Sequence, residues 1–588
     1  MREPKLAEAL RRNPEVTVER RFDPRLGVAM RVGLALTATG IASAGLGRRA
    51  LSGSGADVPL ASAFGCFVIV LLLATLQRPP RASVWIALAL TAGVYVATAN
   101  ALADTPLGMT LYLAAAALAT WRTATHLRPF TVAAFALWTP ALDVFASPAI
   151  AVLPTPVLIA AMFALAYTVL VLVDPSRVHP SDRLRRVGFG LVAIAIMAAL
   201  FDRHLAVGSS GLAPDDMFAI VVAFALPLLA YARWRPTVRD LIATLVVLTT
   251  FALVGLACII AVPYHADAVA ALHRAAELFL NGQDPYAVFD LPEALARFHM
   301  DPLLATHLDD GSVVHTYNYP ALSFLVVAPF VALGLGDVRW VFLVEVLILG
   351  LVATSRLRLA WRPMALATIV GNAIVLRQQI LAGIDPTWVL LTVASWLAVR
   401  RAWLSSILLG LAFAARQTAW FVAPFYVAVV WQRWGWREAV RRAVIAGAVT
   451  LVVNLPFLFI APQRFIEGVS APILGPLEPD GVGLVRFGLA GIGPFLSRGT
   501  YGALALVVFA ALLFVFVRWR RAVTSAPLVW PFVPLYFAWR SLQNYFVLAT
   551  LFVLIADDEL APEVPPPVTS ASSSSRSGTA ADAPALTS

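Results

Sequence analysis

The sequence predicts an all-α polytopic integral membrane protein, and three observations support this prediction. Hydrophobic residues make up 60% of the chain and charged residues only 13%, with a mean hydropathy of +0.80. A soluble protein of 588 residues exposes far more charge than that. Apolar stretches close to the ~20 residues that cross a bilayer recur along the chain. Arginines gather in the connections between these stretches, as expected of a multi-pass protein in the plasma membrane.

The first 239 residues predict a short cytoplasmic segment followed by a series of membrane spans. Residues 1–26 carry mixed charge and no apolar core, so we expect no cleavable signal peptide, and the first span acts as its own insertion signal. The sequence indicates no function for residues 27–239. Candidate spans up to the central loop lie at 27–47, 58–77, 83–103, 107–121, 130–153, 155–173, 187–202, 216–232 and 240–263.

Residues 240–556 form the predicted functional core, and with the earlier spans they give about 15–18 membrane helices. If every apolar stretch crosses fully, not all of these arginines can be cytoplasmic: Arg356, Arg358, Arg362, Arg400 and Arg401. Either some segments are re-entrant or broken, or the arginines face a cavity. The stretch 403–431 is the first candidate. The tail, residues 557–588, is rich in serine, proline and alanine and is predicted to be disordered. The apolar stretches after the loop lie at 318–335, 337–354, 362–382, 386–400, 403–431, 441–461, 500–517, 526–539 and 541–556.

The charge balance and the cysteines exclude two classes of protein. A net charge of +10 and a pI near 10 suggest nucleic-acid binding, but the arginines lie at the ends of apolar spans, where they set topology. We therefore expect the lipid bilayer as a partner and no nucleic acid. Cys66 and Cys258 both lie within apolar spans, so a disulfide framework is not expected.

The segment 264–317 is the one long loop between apolar spans that is rich in ionisable groups. Counting crossings from a cytoplasmic amino terminus places it outside the cytoplasm. The spacings of its histidines, 8, 26, 8 and 8 residues, match no usual ligand pattern, so we predict no metal site. It holds two arginines (Arg274, Arg297), five histidines (His265, His273, His299, His307, His315) and eight carboxylates (Asp267, Glu277, Asp284, Asp290, Glu293, Asp301, Asp309, Asp310).

Asp267 lies just after the end of a span and begins a helical pattern. Leu272, Ala276, Phe279 and Leu280 share one face at helical spacing, and Asn281-Gly282 is a plausible helix end. Asp267 could be a catalytic base or a helix N-cap, and the two roles are compatible. The motif Gly282 to Tyr286, which contains Asp284-Pro285-Tyr286, by itself indicates a turn.

Two polar clusters interrupt the apolar second half. Arg416-Gln417 lies in mid-span, where a charge is costly unless it faces a partner or a wet cavity. The segment Arg540 to Tyr545 lies where two apolar stretches meet on the predicted outer face. An arginine fork binds phosphate oxygens, and Asn544 and Tyr545 can bond sugar hydroxyls. The alternative for Arg540 is snorkelling to lipid headgroups.

The order of these motifs resembles a known family. A span is followed by Asp267, an amphipathic helix to Gly282, Asp-Pro-Tyr, Tyr319-Pro320 and Ala328-Pro329. Further on come Leu381-Ala382-Gly383-Ile384-Asp385, then Leu409-Gly410-Leu411-Ala412 to Arg416-Gln417, and Asn454-Leu455-Pro456-Phe457. Over about residues 240–556 this order is similar to that of the GT-C glycosyltransferases of the family-87 type, which include polyprenol-phosphate-mannose-dependent alpha-mannosyltransferases.

The resemblance implies a GT-C-like transmembrane bundle and a hexosyltransferase that works outside the cytoplasm with no cofactor and no metal. Its donor would be a polyprenyl-phosphate sugar, most simply mannose, and its acceptor a glycolipid or glycan. Asp267 would be the catalytic base in an inverting displacement. Arg540 and Arg416 would hold the donor phosphate. The other predicted substrate-binding residues are Asn544, Tyr545, Gln417, Tyr319, Asp284 and Tyr286.

Two other classes of function stay open on the sequence. Glu345, Asp385 and Arg416 within apolar stretches would suit a transporter or a flippase of a polar or lipid-linked substrate. A transporter does not need a long polar loop on one side, and we find no internal repeat of the kind that transporters often carry. A membrane scaffold would predict that no single loop carboxylate is essential.

Overall fold

The computed structural model describes residues 213–230, 235–356, 380–481, 483–489, 494–519 and 526–545, with isolated positions between and beyond these ranges. About 76% of this interpretable part is helical, which confirms the all-α prediction for it. Its strands are two residues each, β1 (Asp480–Gly481) and β2 (Arg540–Ser541), paired in parallel. The segment 1–26, most spans predicted before residue 213, most of 362–382 and the tail 557–588 lie outside the described residues.

Three helices of the described ranges are long and apolar enough to cross a membrane: Thr237–Ala261, Trp436–Ile460 and Arg498–Arg518. Each coincides with a predicted span. The α-helices, in chain order, are α1 (Pro214–Ala230), α2 (Pro236–Ala261), α3 (Asp267–Leu280), α4 (Pro285–Val288), α5 (Leu291–Arg297), α6 (Leu322–Leu325), α7 (Ala328–Ala332), α8 (Arg339–Arg356), α9 (Pro386–Leu397), α10 (Ala402–Ala415), α11 (Ala423–Trp434), α12 (Trp436–Ile460), α13 (Pro462–Leu474), α14 (Val485–Leu489), α15 (Arg498–Trp519) and α16 (Ala526–Val529).

The predicted break in the stretch 403–431 is confirmed. Helix α10 ends at Ala415, Arg416 is extended (φ −156°, ψ 137°), and a 3₁₀ segment, Gln417–Val422, leads into α11. An extended residue cannot continue the α-helical hydrogen-bond ladder, so the polar pair stands at the interruption. The helix is thus interrupted at Arg416, in the middle of the apolar stretch.

Two other apolar stretches are not the continuous spans that their composition suggests. Residues 318–335 form the short helices α6 and α7, with a proline, Pro329, in the first turn of α7. Residues 526–539 form α16 and a 3₁₀ segment, Trp530–Phe537, which contains Pro534. Prolines remove backbone donors and favour such breaks, and hydropathy alone does not register them.

Helices α9 to α12 pack so that the bundle has two distinct ends. Ser395 near the end of α9 bonds Ser405 near the start of α10, and Asp385 before α9 pairs with Arg416 after α10, so the two helices are antiparallel. Helices α10 and α12 run parallel. A side chain at Gly410 would meet the Ala446 carbonyl oxygen at 2.5 Å, so only glycine permits this close approach.

Two hydrophobic clusters lie on either side of this architecture. One runs through the helices of the bundle and includes Trp388, Trp396 and Phe425. The other fills the loop region and includes Leu272, Tyr286, Phe324 and Phe457, whose last three rings pack edge to face or tilted. The loop 264–317 is therefore a folded layer with a hydrophobic core, packed on the carboxyl-terminal end of α12 and on α13.

Candidate active site

Seven of the eight loop carboxylates stabilise the fold by capping turns or by forming ion pairs. Asp284, Asp290 and Asp301 accept hydrogen bonds from backbone N–H groups at the starts of helical turns. The others are in ion pairs or a turn: Glu277 and Glu293 with Arg274, Asp309 with Arg498, and Asp310 with Ser312. Asp267 differs, because it accepts from the N–H and the hydroxyl of Thr306, which is neither part of a turn that Asp267 caps nor a basic residue.

Asp267 is the first residue of α3, and Ala266 is the N-cap, so the N-cap interpretation is wrong. The carboxylate is half-buried, and its Oδ2 accepts from the backbone N–H and the hydroxyl of Thr306, at 2.9 and 2.5 Å. Two donors on one oxygen fix the orientation of the carboxylate. Helix α3 ends at Leu280 with Asn281 as C-cap and Gly282 at φ 75°, as predicted. Its predicted apolar face is only partly right: Leu272 and Ala276 are buried, whereas Phe279 and Leu280 are exposed.

A deeply buried charge pair in the bundle joins Arg416 to Asp385. Arg416 Nε lies 3.2 Å from Asp385 Oδ1, and the two residues are 6% and 0% exposed. Asp385 Oδ1 also accepts from Trp388 Nε1 at 2.8 Å, and its Oδ2 accepts from Asn544 Nδ2. Both carboxylate oxygens are thus held by donors, and a charge buried this deeply needs such partners.

One nitrogen of this guanidinium, Nη1, is buried and makes no hydrogen bond to any of the described residues. The guanidinium carbon lies 4.4 Å from the centre of the Tyr319 ring, so one face of the fork stacks on an aromatic surface. A buried, unpaired donor on a cation costs free energy, and an anionic or strongly accepting group of a ligand would remove that cost.

Tyr319 lies between the loop and the bundle's ion pair in electrostatic terms. Its ring centre is 4.4 Å from the Arg416 guanidinium carbon, and its phenol is within electrostatic range of Asp267 and Asp385. The backbone carbonyl of Tyr319 accepts from the Tyr286 hydroxyl at 2.6 Å, which fixes the chain at this point. The loop carboxylate and the bundle's ion pair therefore lie in the same region of the structure, around Tyr319.

Asp284 and Tyr286 stabilise the part of the loop that packs next to Tyr319. Asp284 caps α4 by accepting from the Tyr286 N–H, and partial burial raises the pKa of its carboxyl. Tyr286 is 1% exposed and packs against Phe465. Their contacts are those of residues that shape the loop around Tyr319.

Gln417 and Asn454 hold the chain segments on either side. Gln417 Nε2 donates to the carbonyl oxygens of Asn318 and Val469, at 2.7 and 2.9 Å. Asn454 Oδ1 accepts from the Ala321 N–H at 2.8 Å, and its amide donates to Thr450. The broken helix, α12, α13 and the end of the loop therefore meet at one place.

The two ends of the segment Arg540 to Tyr545 have different surroundings: Asn544 contacts Asp385, and Arg540 contacts Glu478. Asn544 reaches Asp385, and Tyr545 interacts electrostatically with Arg416, Asp385 and Arg540. Arg540 itself is half-buried on β2 and donates to the Glu478 carbonyl at 3.1 Å. Of the two predicted phosphate ligands, Arg416 is thus enclosed at the centre and Arg540 lies at the rim.

Asp385 is the functional candidate that sequence reasoning left out of the site. Its position in the Gly383-Ile384-Asp385 motif and its burial in an apolar stretch were the available signals. Both oxygens of Glu345, the other carboxylate named for transport, contact the Thr387 hydroxyl at 2.9 Å. Within the described residues no three His, Cys, Asp or Glu side chains come together as a metal site.

No protein-family model, curated protein or solved structure matches the chain. The resemblance to GT-C glycosyltransferases therefore stays a prediction, and the functional argument depends on the site's own residues.

Proposed function

We propose that the protein is a polytopic membrane glycosyltransferase of GT-C type, which moves a hexosyl residue from a polyprenyl-phosphate donor to a glycolipid or glycan acceptor. The observation that carries the proposal is the juxtaposition, around Tyr319, of a loop carboxylate, Asp267, and a buried arginine, Arg416, that has one unpaired nitrogen. Sugar transfer from a lipid phosphate needs a base for the acceptor and a cation for the leaving group.

The reaction is an inverting displacement. An acceptor hydroxyl attacks the anomeric carbon while its proton passes to Asp267, and the bond from that carbon to the phosphate oxygen breaks. The electron pair leaves with the phosphate, whose charge grows. Asp267 then returns its proton to water. Thr306, which donates two hydrogen bonds to Asp267 Oδ2, holds the carboxylate in place for this transfer.

Arg416 is the better of the two predicted phosphate ligands. Its Nη1 lacks a partner, whereas Asp385 holds its Nε, so the guanidinium is oriented before any ligand arrives. In a water-poor site an oriented cation stabilises a developing anion more strongly than a solvated one does. We expect Asn544, which donates to Asp385, and its neighbour Tyr545 to contact the sugar or the phosphate.

The active site faces outward in this proposal. Loop 264–317 and the Arg416 site lie at one end of the bundle, and the arginines at 400–401 and 433–442 lie at the other. The positive-inside rule places the arginine-rich end in the cytoplasm. A lipid-linked donor then enters sideways from the outer leaflet, and mannose is the first hexose to test.

The test is transfer by the purified protein in proteoliposomes, supplied with radiolabelled polyprenyl-phosphate mannose and envelope glycolipids. Wild-type protein should convert label to a new product, and Asp267→Asn should lower turnover by about 10²–10⁴-fold, the usual contribution of a positioned base. Asparagine keeps an oxygen for the Thr306 N–H, so the loop should stay folded.

Asp301→Asn is the matched control. Asp301 is an exposed carboxylate of the same loop that caps one 3₁₀ turn, and asparagine caps equally well. Its turnover should equal that of wild type. If the label crosses the bilayer without chemical change, the protein is a transporter instead. Near-normal turnover by the Asp267→Asn variant would exclude Asp267 as the catalytic base.

A further inference from the structure

The end of the bundle opposite the candidate site carries a surface that the proposed reaction does not use. We define the arginine–tryptophan corner as residues 400–403, between α9 and α10, and residues 431–442, around the junction of α11 and α12. These two segments contain six arginines and one glutamate, a net charge of +5. Five of the arginines are exposed: Arg400, Arg401, Arg433, Arg437 and Arg441.

Contacts between the two segments show that they form one surface. Arg442 Nη1 donates to the Val399 carbonyl at 2.6 Å, which ties α12 to the end of α9. The guanidinium of Arg441 lies 5.9 Å from the ring centre of Trp403, on the other segment. Glu438 binds both Arg441 and Arg442, so the single acidic residue is already paired with arginines of its own helix.

Large aromatic rings stand exposed among these charges. Trp403 and Trp436 are 62% and 61% exposed, and Trp431 and Trp434 are also exposed. Arg437 lies 5.7 Å from the Trp436 ring centre. Tryptophan beside arginine at the end of an apolar helix is typical of the membrane interface, where the ring lies at headgroup level and the cation meets phosphate.

Apolar surface continues from the corner along both helices. Leu404 and Ile407 on α10 and Val440 and Val444 on α12 are exposed, at the i, i+3 and i, i+4 spacing of a single stripe on each helix. Gly410 brings these parallel helices into close contact further along. A ligand that fits this surface has an anionic head and a long apolar tail.

We propose that the arginine–tryptophan corner binds an anionic phospholipid, with its headgroup phosphate on the exposed arginines and its acyl chains along α10 and α12. The excess of positive charge selects an anionic headgroup over a zwitterionic one. The site is separate from the Arg416 site, so this proposal does not depend on glycosyl transfer.

The experiment uses the delipidated full-length protein in detergent and measures lipid binding by native mass spectrometry. Dioleoyl phosphatidylglycerol should bind more tightly than dioleoyl phosphatidylcholine, which has the same chains. Replacing both Arg437 and Arg441 by glutamine should weaken phosphatidylglycerol binding by about 25-fold, since each basic residue at an anionic surface contributes on the order of fivefold. Trp403→Ala should weaken it by roughly two- to fivefold through the lost cation–π contact.

Arg464→Gln is the matched control, because Arg464 is an exposed arginine on α13 at the loop end of the molecule. It should leave phosphatidylglycerol binding unchanged, and all variants should melt near the wild-type temperature in detergent alone because the replaced side chains are exposed. Soluble glycerophosphoglycerol should not compete at equal concentration, since it lacks acyl chains. Equal binding of the two lipids, an unaffected Arg437→Gln/Arg441→Gln variant, or full competition by the soluble headgroup would each overturn the proposal.

Discussion

The two ends of the bundle use arginine in opposite ways. At the loop end Arg416 is buried, paired with Asp385 and stacked on Tyr319. At the arginine–tryptophan corner five arginines are exposed, and a single carboxylate, Glu438, accompanies the six in the two segments. The enclosed cation is matched by a carboxylate of its own molecule, whereas the arginines of the corner outnumber the carboxylates of its two segments. Burial and pairing, more than residue type, distinguish a candidate catalytic arginine from a surface one.

The break at Arg416 also explains how the arginines on either side of the stretch 403–431 can lie on one side of the membrane. Helices α10 and α11 contain 14 and 12 residues, and the break at Arg416 sends the chain back toward the end from which it came. Arg400, Arg401 and Arg433 can then share one side although an apolar stretch of nearly 30 residues separates them. The proposed topology therefore agrees with the positive-inside rule at these three arginines.

Cysteine labelling tests the comparison with an all-or-none outcome. In a background where Cys66 and Cys258 are replaced by serine, the Ser312→Cys variant should react with a membrane-impermeant maleimide on intact cells. The Arg401→Cys variant should react only after permeabilisation. Both positions are exposed, so access depends on the side of the membrane and not on burial. The opposite pattern would place the candidate site in the cytoplasm, where a nucleotide-sugar donor becomes the more plausible substrate.

Loss of one member of the enclosed pair should be the largest effect on stability. Asp385→Asn keeps a side chain of similar shape but leaves the Arg416 guanidinium buried without its counter-charge. Breaking a buried pair in this way costs about 3–5 kcal/mol. Unfolding in increasing mole fractions of a denaturing detergent, followed by circular dichroism, measures the change.

A second pair provides the control. Asp309 and Arg498 lie 3.7 Å apart with both side chains 40% exposed, so Asp309→Asn should cost no more than about 1 kcal/mol. Replacing Arg416 by glutamine in the Asp385→Asn background should restore part of the lost stability, because no uncompensated charge is then buried. Equal effects of Asp385→Asn and Asp309→Asn would contradict the view that the two pairs differ.

Sequence patterns predicted the helices that are long, apolar and uninterrupted. Helices α2, α12 and α15 coincide with predicted spans, and the break at Arg416 was predicted from the cost of a charge in mid-span. The stretches 318–335 and 526–539 were predicted as apolar spans, but each of them forms short helical segments. Their hydropathy is that of spans, but prolines and packing against the loop layer shorten their helices, and such packing is not visible in a hydropathy pattern.

Sequence analysis named most residues of the candidate site but could not show how they are arranged in space. Asp267, Arg416, Tyr319, Asn544 and Tyr545 come together in the structure from segments far apart in sequence. Asp385 was not assigned to the site, because its partner, Arg416, lies 31 positions further along and only the antiparallel packing of α9 and α10 joins them. Asp284 and Tyr286 belong to a motif beside the site, yet a motif does not distinguish a ligand contact from a supporting one. That distinction needed the contact from the Tyr286 hydroxyl to the Tyr319 carbonyl.

The smallest effects concern the two predicted phosphate ligands, and they separate the centre of the site from its rim. Arg416→Lys retains the charge that Asp385 needs but removes the planar fork and the unpaired Nη1, so donor use should fall by about 1.5–3 kcal/mol, roughly 10- to 150-fold in kcat/KM. Arg540→Ala should cost less than about 1 kcal/mol, because Arg540 is half-buried and its observed partner is the Glu478 carbonyl. Steady-state kinetics with varied polyprenyl-phosphate sugar at fixed acceptor gives both values, and acceptor KM should change little in either variant. A larger loss for Arg540→Ala than for Arg416→Lys would move the phosphate to the rim and leave Arg416 as a structural partner of Asp385.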